Sequence, residues 1–212
     1  MNYSKLVEIL MAEDTTRELV FIMDGLDLLA AVFAGPGPDC VELASERIPA
    51  FAGDLDKAPE PFARVFTGLV EAWSPDDPAG FCQRMETEYV RIFINTKGGV
   101  AAPLYHSAYQ PGSPGLMGPA AADMARRLAE SGLAVGAEGE PPDHLCIEIE
   151  YLSHLLAAGD SGIPEPARGF ARVMSEWVHD FQSAVKRSDP PAAYGLAADA
   201  LAAVIDHLAH SS

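Results

Sequence analysis

Apolar residues in this chain return at spacings of three and four in one segment after another, and nowhere do they alternate with polar ones over a stretch long enough for a strand. The α-helix repeats every 3.6 residues and the strand every two, so this pattern restricts the chain to packed helices. The first stripe is Leu19, Ile22, Met23, Leu26, Leu29, Ala30 and Phe33, with Asp24 and Asp27 on the other face and Gly35-Pro36-Gly37-Pro38 to end it. A second helix is expected after Pro38, stopping near Pro49. A third runs from about Pro61 to Trp73, with Phe62, Val65, Phe66, Leu69 and Val70 inward. Ser74-Pro75-Asp76-Asp77-Pro78 then breaks the chain, and Pro78 suits the first position of a helix carrying Phe81, Met85, Tyr89, Ile92 and Phe93 on one side and Arg84, Glu88 and Arg91 on another.

From Asn95 to Gly118 there is no periodicity of either kind, and Gly98-Gly99, Pro103, Pro111, Pro114 and Gly115 mark a long ordered loop, 95–118, of the sort that carries function. Helical spacing resumes from Pro119 to about Leu133. Gly136, Gly139, Pro141 and Pro142 then form the clearest boundary in the chain. A helix from Asp143 to about Ala157 is apolar nearly all round, with Leu145, Ile147, Ile149, Tyr151, Leu152, Leu155 and Leu156, and is expected to be central. Two further stripes follow, Phe170 to Phe181 and Tyr194 to Leu208. The expected architecture is all-α: an N-terminal helical lobe over 1–135 that includes the loop, a hinge at 136–142, and a C-terminal helical lobe over 143–212.

With 49% hydrophobic residues in 212, the chain can bury a sizeable core. Lys+Arg 14 against Asp+Glu 31 gives a formal charge of -17, which repels phosphate backbones and anionic membranes and makes nucleic acid a poor partner. That acidity serves solubility, or attracts a basic partner. Cys40, Cys82 and Cys146 have no Cys-x-x-Cys spacing and read as buried thiols of a reducing compartment. Glu8, Glu13 and Asp14 interrupt any apolar export signal, and the stretch from Leu19 to Ala34 is too short to span a bilayer, so a cytoplasmic protein without stable membrane insertion is expected.

Reactive constellations are sparse. His144 and Glu148 stand four apart and could share a metal, but a third ligand is missing and His154 faces elsewhere. Gly98-Gly99 and Gly136 with Gly139 follow no strand and lack the Lys-Ser/Thr of a phosphate loop, and no Ser sits in a Gly-x-Ser-x-Gly turn. No catalytic residue, cofactor or metal is assigned, and a binding protein is expected rather than an enzyme. The segment Glu140-Pro141-Pro142-Asp143-His144 stands out, because two prolines fix the backbone at a helix start where free amides favour an acid. Glu140 and Asp143 either cap the helix, with His144 in a buried hydrogen bond, or form a recognition site.

Tyr89-Val90-Arg91-Ile92-Phe93 resembles the aromatic-x-x-Leu-Phe motif of the TorD/DmsD/NarJ family of redox-enzyme maturation chaperones, with Ile92 in place of Leu. Glu140 to His144 resembles that family's Glu-Pro-x-Asp-His motif ahead of an apolar helix. Between them, Ala102 to Tyr109 is similar to the family's Pro-x-Glu-Ser-x-Tyr-like loop, with His106 where the family has an acid. The resemblance implies a TorD-like helical bundle of two lobes meeting at a hinge. It further implies a cytoplasmic chaperone that binds the twin-arginine signal peptide and apoprotein of a molybdenum- or tungsten-cofactor (molybdopterin) oxidoreductase and assists cofactor insertion before export, as a monomer or a hinge-swapped dimer. A helical adaptor or regulator without a redox-enzyme client is the alternative. Under the chaperone reading Glu140, Asp143 and His144 meet the basic part of the leader, and Tyr89, Phe93, Leu104 and Tyr105 its apolar part. Tyr89 and Phe93 also lie on their helix's apolar stripe, where a core role competes with contact.

Overall fold

The first apolar stripe lies within a helix that starts well before it, α1 (Tyr3–Phe33). Gly35 ends it at φ 92°, a left-handed turn that glycine alone takes without penalty, and the Tyr89 ring packs 2.8 Å from where a Cβ would stand. The computed structural model describes residues 3–58, 62–95, 99–112, 118–135, 139–159 and 162–211, with the backbone alone for residues 3–14 and 57. Pro61, Gly98, Pro114, Gly115 and Gly136, named in the sequence reading, lie outside the described residues.

The second helix does not stop at Pro49. It runs as α2 (Cys40–Glu42), a π-helical turn (Leu43–Arg47) and α3 (Ile48–Ala52). Pro49 follows directly on the π-helical turn, where the Ile48 amide reaches back to the Leu43 carbonyl, and the helical run passes through it for three more residues. α4 (Phe62–Ala72) and α5 (Pro78–Tyr89) follow as their stripes require, and Asp77 caps α5 by accepting from the Gly80 amide. α5 continues into a π-helical segment (Val90–Ile94). After the loop come α6 (Pro119–Glu130), α7 (Leu145–Ala157), α8 (Glu165–Arg187) and α9 (Ala192–His210). No strand occurs among the described residues.

The expectation of three thiols is corrected. Packing of α2 against α5 brings Cys40 and Cys82 to a Cα separation of 6.0 Å, and they form a disulfide across 42 residues of sequence. Only Cys146 is free, and it is buried.

α9 takes the central place that the sequence suggests for α7. It packs on α1, α4 and α8, while α7 lies between α1 and α8. Ala197, Ala198, Ala200 and Ala202 are all buried on α9, and small side chains let neighbouring backbones come close. Trp73 donates its indole N–H to the Ala193 carbonyl and the Tyr194 hydroxyl to the Met85 carbonyl, so the start of α9 is pinned to both α4 and α5. By length and composition α9 alone among the described helices could cross a membrane, yet 61% of its apolar window is buried in the protein. The buried apolar residues form one cluster drawing on segments before and after 136–142.

Gly25, in the middle of α1, faces the Phe66 ring at 2.8 Å from its virtual Cβ, and that ring is itself held by Phe21 and Phe51 at 5.5 and 5.2 Å. Alanine would gain about 1 kcal/mol of helix propensity, but overpacking a fully buried ring costs about 1–3 kcal/mol. Gly25→Ala is therefore expected to destabilise the protein by about 1 kcal/mol in urea unfolding, the reverse of its effect at an open helical glycine.

Candidate functional site

The long loop and the Glu140–His144 segment meet in space. Leu104 to Ser107 lies antiparallel against the start of α7, with Tyr105 bridged to His144. The Leu145 amide donates to the Leu104 carbonyl at 2.8 Å and the His106 amide to the Asp143 carbonyl at 3.0 Å. Pro141 and Pro142 offer no N–H of their own and set the extended entry, after which the His144 amide turns back to the Pro141 carbonyl at 2.9 Å.

Asp143 does not cap α7. Its side chain is 0% exposed, and Oδ2 accepts from the Ser107 amide at 2.9 Å and, in a short contact, from the Ser107 hydroxyl. The same hydroxyl oxygen accepts from the Gly118 amide at 3.1 Å, so one serine joins Asp143 to the loop and to the start of α6. Asp143 Oδ1 has no hydrogen-bond partner among the described residues. His144 is the cap: its Nδ1 accepts from the Cys146 amide at 3.3 Å, which requires that nitrogen to be unprotonated. Burial holds the imidazole below its ordinary 6.5 against the opposing pull of Glu140 and Asp143.

Glu148, the one acid of α7 that faces inward, is 1% exposed. Its carboxylate meets His106 Nδ1 at 3.0 Å and accepts from Trp177 Nε1 at 3.1 Å. Burial pushes its carboxyl above the usual carboxylate range, and the two donors oppose that shift. Trp177 is sandwiched between the rings of His106 and Tyr109, at 5.3 and 5.5 Å. Glu148 therefore serves this network and does not share a ligand site with His144. Among the described residues no group of three or more His, Cys, Asp or Glu could hold a metal.

The remaining named residues divide into an inner and an outer set. Phe93 is core, its ring against Phe33, Phe181 and Tyr194. Tyr89 is half-buried and donates its hydroxyl to the Phe33 carbonyl at the end of α1, 3.0 Å away. Leu104 is buried. Tyr105 is half-buried and its ring meets that of His144 edge-on at 5.2 Å, while its hydroxyl donates to the exposed Glu140 at 2.7 Å. Burial, then the bond to Glu140, raises that phenol above its ordinary value, so it stays a donor. The sequence reading places Ser107 only within the Ala102–Tyr109 loop motif and Trp177 only within the Phe170–Phe181 stripe, and assigns neither a site role. Of the two acids on the apolar α7, Glu148 falls on the inward side and Glu150 on the exposed one, and an acid on an inward side was the available signal that Glu148 has buried partners.

Two outcomes follow from this geometry. Asp143→Ala strips the Ser107 amide and hydroxyl of their acceptor, so about 2–3 kcal/mol of stability should be lost in urea unfolding. His144, held neutral by burial and by its cap, binds its proton more readily when unfolded; its contribution is complete above its ordinary pKa and declines as pH falls below it. Between about pH 7 and about pH 5 the wild type should lose more stability than His144→Gln, and equal slopes would remove His144 from the account.

A family model described as the nitrate reductase delta subunit matches residues 55–183, more than half of the chain and including the loop, the Glu140–His144 segment and most of α8. A crystal structure described as that of a candidate redox enzyme maturation protein from Archaeoglobus fulgidus aligns with a TM-score of 0.54 at 21% identity, over 87% of this chain and 93% of that one, and so shares the fold. No curated protein matches. The chain belongs to the nitrate reductase delta subunit family, the NarJ/TorD type of chaperone.

Proposed function

We propose that this protein is a redox-enzyme maturation chaperone that binds the twin-arginine leader and the apoprotein of a molybdopterin oxidoreductase, and holds the client on the cytoplasmic side until its cofactor is in place. The observation that carries this reading is the junction of the Leu104–Ser107 loop segment with Glu140–His144, in a chain of the chaperone family. That junction has an outer layer, Tyr105 and Glu140, that a client can touch, resting on an inner layer, Leu104, Asp143 and His144, that sets its shape. Phe93 packs in the core against the Tyr89 ring, whose hydroxyl is held by the Phe33 carbonyl, so in this reading the pair reach a client only through the edge of Tyr89.

A leader that places two or three apolar side chains against Tyr105 and its surroundings gains roughly 1.5–3 kcal/mol for each. Ordering a flexible peptide offsets much of that, which suits a chaperone that must release its client. A synthetic twin-arginine leader encoded beside this gene, titrated calorimetrically, should bind the wild type, and Tyr105→Ala should weaken it several-fold with little change in melting. Absence of binding to every twin-arginine leader of the same genome would defeat the proposal.

A further inference from the structure

Of the acids beside the junction, Asp143 is wholly buried on Ser107, and the exposed Glu140, which already accepts from Tyr105, is a single carboxylate. A pair of leader arginines needs acids elsewhere, and the structure offers them in a groove between α1 and α7. This cavity of about 500 Å³ has an apolar floor that includes Met23, Ala30, Ala31 and Ile149. Asp24 and Asp27 line it from α1 and Glu150 from α7, all three exposed. A second cavity of about 280 Å³ shares Asp24, Asp27 and Arg47 with it and extends it toward Asp54.

Arg47, the one cation lining either cavity, is bound to Asp27 at 2.6 Å. Asp24 and Glu150 have no hydrogen bond or ion pair among the described residues. Burial together with its neighbours Asp54 and Asp27 raises the Asp24 carboxyl, a crowding of like charge that a cation would relieve. At its other end the groove reaches Ala34 and Cys146, two residues beyond His144, and burial and the fields of both Glu150 and Glu140 push the Cys146 thiol up to about 12. The groove thus leads from the acids to the hinge.

We infer that the α1–α7 groove seats the arginine pair of the leader, with Asp24 and Glu150 taking one guanidinium each from opposite walls and the leader's apolar stretch running past Ala34 and Cys146 toward Tyr105. Small floor residues leave room for a peptide backbone, and carboxylates on both walls match adjacent cations better than one acid could. This inference rests on the proposed leader binding and adds where, and by which residues, the arginines are read.

The test is a double-mutant cycle by calorimetry, using a synthetic leader peptide with its Arg-Arg pair and the same peptide with Gln-Gln. The wild type should prefer Arg-Arg about tenfold, and Asp24→Asn with Glu150→Gln should bind Arg-Arg about tenfold more weakly and lose the preference. Glu86→Gln, which removes one exposed charge on α5 outside the groove, should keep it. Equal preference in the wild type and the groove variant, or an equal loss in Glu86→Gln, overturns the inference while leader binding stands. No preference in a wild type that binds both peptides overturns it too, and no binding of either peptide to the wild type overturns the proposed function with it.

Discussion

Burial of α9 is the constraint on which the rest of the structure depends. Eleven of its residues are buried, and they are mostly alanine, with Tyr194, Leu201, Val204, Ile205 and Leu208 supplying the bulk. A helix shielded from water on nearly every side cannot be solvated as a separate unit, so α1, α4 and α8 must be in place around it. The large aromatics then fill the spaces that the alanines leave: Trp73 and Phe93 both meet the Tyr194 ring, and Phe181 stacks on Phe93 from α8. Because α1 and α4 come from before the 136–142 segment and α8 and α9 from after it, the two ends of the chain stabilise each other.

Against that apolar packing, the start of α7 concentrates the buried polar groups. His106, Ser107, Asp143, His144 and Glu148 are all buried, and each is tied to another or to backbone. Polar groups removed from water cost stability unless paired, so such a network specifies one arrangement of the Leu104–Ser107 segment against α7 and resists others. Asp143 Oδ1, lacking a partner among the described residues, is where the network is least satisfied. The junction is therefore well defined and also holds an acceptor that a rearranged neighbour could use.

Much of the fold was legible because helical spacing is a local property. The stripes of α1, α4, α5 and α8 follow from their own residues, as does the Asp77–Pro78 start of α5. What the sequence hid is what depends on distance in space. Pro49 reads as a stop, and only the preceding π-helical turn shows how the chain passes it. Cys40 and Cys82 read as unrelated thiols until α2 and α5 pack. The apolar face of α9 runs nearly all round, like that of α7, and only the packing of α1, α4 and α8 on it shows that α9 is the more central of the two. In the candidate site, the proline-set context singles out Glu140, Asp143 and His144 but does not say which one caps: His144 does, and Asp143 reaches across to Ser107. Ser107 stands at the serine of the loop motif, but its partner is hidden from sequence, because a serine in a loop has many uses and only Asp143 selects this one.

The placement of charge separates the two kinds of acid that a sequence count merges. Asp143 and Glu148 are interior acids whose partners come from the protein, and their removal is a matter of stability. Asp24, Asp27 and Glu150 are surface acids gathered about one groove by the spacing of α1 and by the packing of α7 on it. A net charge of -17 spread evenly would keep molecules apart and do little else. Three of those acids, Asp24, Asp27 and Glu150, stand on the walls of one apolar groove, which is the local field that the inferred leader site requires, and the Arg47–Asp27 pair marks how far a cation already satisfies it. The interior acids fix the shape of the junction, and the exterior ones give the groove beside it a sign.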